Sequence, residues 1–263
     1  MDLKLKGKVA LVTGSSKGLG AAIARLLSLE GASVVVNGRD ISRLEKTVSE
    51  ISELTNNPVM AVSGDVSTPD TPKKIVDAVI AKFGQLDILV TNAGGPPRGQ
   101  FSDIDDIAWQ NAFDSLFMSP VRLIRAALPF LEKSETASVL TITSYAVKQP
   151  IPNLVLSNSI RAATVGLTKT LALELAGKGI RFNSILPGWT TTERVEELMR
   201  SRSSQNQTTI DEEYQKEAEA CALKRMATPE EFAAVAVFLV SPVASYMTGA
   251  MIPVDGGTIK GLL

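Results

Sequence analysis

Histidine is absent from this chain. That removes Ser-His-Asp and Cys-His nucleophilic machinery and every histidine-held metal site, so no metal centre is expected. Cysteine occurs once, as Cys221. No intrachain disulfide can form, which suits a reducing, cytoplasmic setting. Charge of one sign is also missing: Lys plus Arg is 27 and Asp plus Glu is 28, with no long run of either. A nucleic-acid or membrane-surface role therefore has no electrostatic support. No apolar run is long enough to span a bilayer. The opening "MDLKLKGKVALVTG" meets a glycine turn before it has an apolar stretch of signal-peptide length, so no secretory leader is expected.

What remains is an ordinary globular composition, 44% hydrophobic and 21% charged over 263 residues. Short runs rich in Val, Ile and Leu alternate with longer segments of helical periodicity. "KVALV", "SVVV", "VMAV", "LDILV", "SVLTI", "IRFNSIL" and "MIPV" read as strands. Helices are expected after most of them: at 41–54, through "PKKIVDAVIAKF", as one long helix over 107–131, and over "LSNSIRAATVGLTKTLALELAG". Strands apolar on both faces and separated by helices predict a doubly wound parallel sheet, a three-layer α/β/α fold. No linker or repeat divides the chain, so one domain over 1–263 is expected. Residues 190–224 change character, becoming polar and charge-rich. An insertion of this kind reads either as a lid or as a solvated helical excursion.

The chemistry begins in "VALVTGSSKGLGAAIA". Gly14, Gly18 and Gly20 follow a strand and open a helix. There glycines let the backbone approach a pyrophosphate, and the helix N-terminus favours its charge. Further motifs follow in order: "GDVS" from Gly64, "TNAGG" from Thr91, "PGWTTT" from Pro187 and "YMTGAMIPVDGG" near the end. With these the chain resembles the short-chain dehydrogenase/reductase family over nearly its whole length, and especially the 3-oxoacyl-(acyl-carrier-protein) reductase-like branch. The resemblance implies a single Rossmann-like domain, usually a homotetramer, acting on a small-molecule substrate with a nicotinamide cofactor. It assigns cofactor contacts to Gly14, Ser16, Lys17, Gly18, Leu19 and Gly20 in the glycine loop. It also assigns them to Asp65 and Val66 at the adenine, to Asn92, Ala93 and Gly94, and to Pro187, Gly188, Thr190 and Thr192 beside the nicotinamide.

NAD-specific members place an acid after the second strand, on the ribose 2′-hydroxyl. Here that place is Gly38, flanked by Arg39 and facing Lys17 of the loop. Two cations without an acid suit a 2′-phosphate, so NADP(H) is favoured over NAD(H). Asp40 reads as the N-cap of the next helix.

The resemblance breaks at the proton donor. The family uses a Tyr, a Lys four residues later, a Ser thirteen residues earlier and an Asn on the preceding long helix. Ser144 stands at the Ser position, but Ser157 occupies the Tyr position, Arg161 the Lys position and Leu116 the Asn position. The surrounding "SNSIRAATVGLTKTLALELAGKGIRFNSILPG" tracks the family without insertion. A serine hydroxyl is a far weaker acid than a phenol of pKa about 10. Arg161 keeps a cation for the ribose hydroxyls but is a poor proton shuttle. Tyr145 and Lys148, just past Ser144, are the substitute donors to consider, against readings as a packing tyrosine and a solvated lysine.

Two functions stay open from the sequence. One is an NADP(H)-dependent oxidoreductase with a remodelled site for a small carbonyl or alcohol. The other is a catalytically weak or inactive NADP(H)-binding sensor or scaffold.

Overall fold

A computed structural model describes residues 1–262 of the protein. Strands β1 (Val9–Val12), β2 (Ser33–Gly38), β3 (Val59–Ser63), β4 (Ile88–Thr91), β5 (Ser138–Ile142), β6 (Arg181–Pro187) and β7 (Met251–Val254) form one sheet in the order β3-β2-β1-β4-β5-β6-β7. Every pairing is parallel. The reason lies in the apolar runs: alternate residues of one strand enter different cores. Ala10, Val12, Val34, Val36, Ile88 and Val90 pack on one face with α1 (Gly18–Leu29), α2 (Ile41–Leu54) and α9 (Pro229–Val240). Val9, Leu11, Val35, Leu89 and Val139 pack on the other, with α3 (Thr71–Phe83), α5 (Ser119–Leu131) and the C-terminal half of α6 (Val155–Glu174). This is the expected Rossmann-like three-layer fold.

The strand order reverses between β1 and β4, so a crevice opens beyond their carboxyl ends. Thr13 and Asn92 lace that switch point. The Thr13 hydroxyl donates to the Asn92 carbonyl at 2.9 Å, and the Asn92 amide donates back to Thr13 Oγ1 at 2.9 Å.

The long helix expected over 107–131 is present as a continuous helical run from Asp106 to Leu131, but it is not uniformly α-helical. α4 (Asp106–Phe113) leads into a wide π-turn over Asp114–Met118 before α5 begins. Pro120 is the cause, because it lacks the N–H that would bond the Leu116 carbonyl one turn back. That carbonyl accepts instead from the hydroxyl of Thr164 on α6, at 2.9 Å. The Ser119 hydroxyl likewise donates to the Ser115 carbonyl at 2.6 Å. Segment 190–224 is a helical hairpin, α7 (Glu193–Asn206) and α8 (Ile210–Ala220). α7 is capped by Thr192, whose hydroxyl accepts from Val195 N–H, and α8 by a Thr209–Glu212 capping box. At the C-terminus Leu262 is fully exposed in the monomer, and Leu263 lies outside the described residues.

Candidate active site

A cleft of about 690 Å³ runs along the carboxyl edge of the sheet from the β1–α1 turn to the α7 hairpin. Its first half is the glycine loop. Gly14 has φ +57°, and a Cβ there would lie 2.8 Å from the Asn92 carbonyl oxygen, so no side chain fits. The Asn92 side-chain amide donates to the Gly14 carbonyl at 2.9 Å and pins the turn. Ser16, Lys17, Gly18 and Leu19 complete this wall, at the N-terminus of α1, where the N–H groups are free to meet an anion. Gly20 does not face the cleft. A Cβ there would collide with the Gly14 carbonyl, so its role is to let α1 pack against the turn.

The neighbouring strand ends complete the adenine side. Arg39, Asp65 and Val66 line the cleft, with Asn92, Ala93 and Gly94 at its floor. Asp65 accepts from the Ser67 hydroxyl at 2.7 Å and the Ser67 amide at 2.9 Å. Desolvation opposes its charge, but these bonds and the nearby Arg39 outweigh it and hold the carboxyl below its usual range. Gly38 puts no acid here, and a Cβ in its place would crowd the Ser16 side chain, 3.0 Å from its Oγ. Asp40 caps α2, accepting from Arg43 N–H at 3.1 Å. Lys17 is not idle. Its ammonium pairs with Glu193 of α7 at 2.9 Å and lies 3.5 Å from Glu197, while Arg43 approaches Glu193 at 3.8 Å. The hairpin is thus tied to the glycine loop by the cations a 2′-phosphate would use. These features fit a dinucleotide carrying such a phosphate.

The second half of the cleft holds Ser144, Ser157 and Arg161. Two residues past the end of β5 stands Ser144, whose Oγ accepts from the Ala146 amide at 3.1 Å and keeps its own proton to donate. One face of α6 brings Ser157 and Arg161 to the same wall. Arg161 Nη1 donates to the carbonyls of Ile142 at 3.1 Å and Thr143 at 3.0 Å. Its guanidinium is desolvated, which pushes its pKa down to about 10 and leaves it charged at neutral pH. Pro187, Gly188, Thr190 and Thr192 line the facing side. Thr192 Oγ1 accepts from Val195 N–H at 3.3 Å as the N-cap of α7. Leu116 is buried and its side chain packs with Leu156 and Ile160.

The two substitute donors fare differently. Lys148 is not among the cleft's lining residues, so the structure does not bring it to the reactive side chains. Tyr145 does line the cleft, but burial pushes its phenol up to about 12, Glu217's charge adds to the rise, and the Trp189 side chain only partly offsets it. A phenol held there is a weaker acid than a free one.

Sequence reasoning missed Arg43, Ser115, Trp189 and Arg194. Arg43 was findable, since it follows the Asp40 cap by one helical turn on the cleft side of α2. Trp189 was findable too, inside "PGWTTT"; Ser115 and Arg194 carry no local signal, and only the fold brings them to the cleft.

A family model described as enoyl-(acyl carrier protein) reductase matches residues 14–258. The uncharacterized oxidoreductase YvrD of Bacillus subtilis is 35% identical over 266 residues, spanning 100% of both chains. L-sorbose reductase from Gluconobacter frateurii, solved with NADPH and L-sorbose, superposes with a TM-score of 0.96 at 35% identity over 100% of both chains. An NADPH-bound short chain oxidoreductase from Pseudomonas aeruginosa, described as containing an atypical catalytic center, gives a TM-score of 0.89 at 31% identity over 97% of each chain.

Proposed function

Because the chain belongs to the short-chain dehydrogenase/reductase family of oxidoreductases, we propose that it reduces a small-molecule carbonyl with NADPH and, in reverse, oxidises the alcohol. The observation that carries this reading is the single cleft in which the glycine loop and the Ser144–Ser157–Arg161 wall face one space. A sensor that only binds nucleotide has no need of a carbonyl-sized space beside two serine hydroxyls and a buried cation.

Lys17, Arg39 and Arg43 surround the place where the family binds the 2′-end of the nucleotide, and Gly38 supplies no acid there. This supports a preference for NADPH over NADH. NADPH, when bound, supplies hydride to the carbonyl carbon. Ser144 and Ser157, at the family's Ser and Tyr positions, donate hydrogen bonds to the carbonyl oxygen. Arg161, at the family's Lys position, is locked by the two strand carbonyls and stabilises negative charge as it builds on that oxygen. The final proton comes from water through the serine hydroxyls, because Tyr145 is raised and Lys148 lies off the cleft. The hairpin 190–224 acts as a lid whose N-terminal acids exchange with the cofactor phosphate. We further propose a homotetramer, since Ile107 on α4 and Leu173 on α6 are 71% and 73% exposed in the monomer. The described residues contain no helix long and apolar enough to cross a membrane.

The test is NADPH oxidation against a carbonyl panel that includes 3-oxoacyl thioesters, with cofactor binding measured in parallel. Turnover of at least one carbonyl, lowered by Ser144→Ala and Ser157→Ala, is the expected result. Tight binding with no turnover would favour a sensor or scaffold instead.

A further inference from the structure

Arg98 sits in the loop between β4 and α4, half-buried, and lines the same cleft as Ser144, Tyr145 and Trp189. Several cations around the cleft, Lys17, Arg39 and Arg194 among them, have a carboxylate within reach. Arg98 has neither an ion-pair partner nor a side-chain hydrogen bond among the described residues. The charges nearest to it are mainly of its own sign: Arg202 and Arg194, against Glu217. Glu217 is already taken by Arg202, to which it is hydrogen-bonded. Arg202 in turn lies over the Trp189 ring, 5.1 Å from its centroid. Arg194, in the first turn of α7, also faces the cleft, and its nearest carboxylate is Glu197 at a loose 3.9 Å. The substrate end of the cleft therefore carries uncompensated positive charge in a partly desolvated wall. Desolvation and the like charge of Arg202 both depress the Arg98 pKa, which is the signature of a cation held without its counter-ion.

We infer that the carbonyl substrate carries an oxyanion, a carboxylate or phosphate group, and that Arg98, with Arg194 on the lid hairpin, binds it. This inference rests on the reductase reading above and adds to it the charge of the substrate. The chemistry fits the residue type. Arg presents a planar fork of donors that matches both oxyanions, and a guanidinium already partly stripped of water loses little on binding one. Arg194 gives the contact a conformational consequence, since an anion bridging Arg98 and Arg194 draws α7 toward the loop after β4 and closes the reacting carbonyl off from water.

The experiment compares oxo acids with their methyl esters and with phosphate-bearing ketones, in wild type, Arg98→Met and Arg98→Lys. A charge-assisted bond of this kind corresponds to about ten- to hundred-fold in kcat/KM. Wild type should favour an anionic carbonyl over its neutral ester by that factor. Arg98→Met should erase the preference mainly through KM, and Arg98→Lys should restore part of it. The preferred member, oxo acid or ketone phosphate, identifies the oxyanion. A wild type that reduces acid and ester equally well, or a preference that survives Arg98→Met, overturns the inference and leaves the reductase reading standing. If NADPH binds but no carbonyl turns over, the reductase reading fails instead. Calorimetry of the same oxo acids and ketone phosphates on the NADPH-loaded protein then decides the anion site alone: binding weakened by Arg98→Met sustains it, and the absence of binding, or binding that Arg98→Met leaves unchanged, refutes it. Circular dichroism and thermal unfolding of each variant separate lost folding from lost binding.

Discussion

Arg161 combines a buried cation with a side chain that does not readily give up its proton. Its two bonds to the ends of β5 fix the guanidinium rigidly, so on the proposed mechanism it acts through its field. Replacing it with Met removes the charge and strands both carbonyls. We expect a loss of about 10²–10³ in kcat, in the range of other preorganised oxyanion stabilisers. Its pH behaviour follows from burial, which lowers its pKa to about 10. The charged form is the active one, so kcat should hold level from neutral pH upward and fall only as pH approaches that value. A descending limb already complete near neutrality would assign the essential proton to another group. Lys148 shows the limit of reading a site by proximity along the chain. It lies four residues past Ser144, but the short turn over Tyr145–Val147 carries it off the cleft.

Among the elements, the π-turn between α4 and α5 relies on a hydroxyl from a third helix. Thr164→Val keeps the shape of the side chain but leaves the Leu116 carbonyl without its donor. A loss of about 1–3 kcal/mol in denaturant unfolding is expected, and an unchanged midpoint would mean the π-turn satisfies itself. The short apolar run that places each strand was legible because a strand buried on both faces needs apolar residues at successive positions. The π-turn was not, since Pro120 in the middle of the expected helix signals a distortion but not the hydroxyl of Thr164, 48 residues beyond Leu116, that takes up the freed carbonyl. Lys17 shows the same limit at longer range. Loop and sequence suggest a phosphate ligand, and only the fold reveals Glu193, 176 residues away, as its present partner. That contact makes a prediction about the lid. Lys17 is the main cause of Glu193's lowered carboxyl pKa. A depressed pKa means the pair contributes above the ordinary value of 4.5 and is lost as pH falls below it. Protease nicking of the α7–α8 hairpin in the cofactor-free protein should therefore rise in acid and in high salt. Glu193→Gln should free Lys17 and Arg43 and tighten NADPH binding about three- to tenfold while barely changing NADH. Equal gains for both cofactors would place the 2′-phosphate elsewhere.

For the whole molecule, apolar groups left outside both cores point to further assembly. Ile107, Leu173 and Tyr246 are all well exposed in the monomer. Light scattering at micromolar concentration should report a tetramer, and a monomer would leave those groups without an explanation. The family and the cofactor end were readable from ordered motifs, whose glycines and turn residues act locally. The substrate end was not, because its charge comes from Arg98, Arg194 and Arg202 on separate segments that meet only in the fold. The most direct test of the account is tracing the hydride. The protein is supplied with NADPH deuterated on the nicotinamide and with an anionic carbonyl, and the products are followed by mass spectrometry. The account predicts deuterium on the new alcohol carbon and matching formation of NADP⁺, both strongly reduced in Arg161→Met. Tight NADPH binding with no deuterium transferred to any carbonyl in the panel would contradict it.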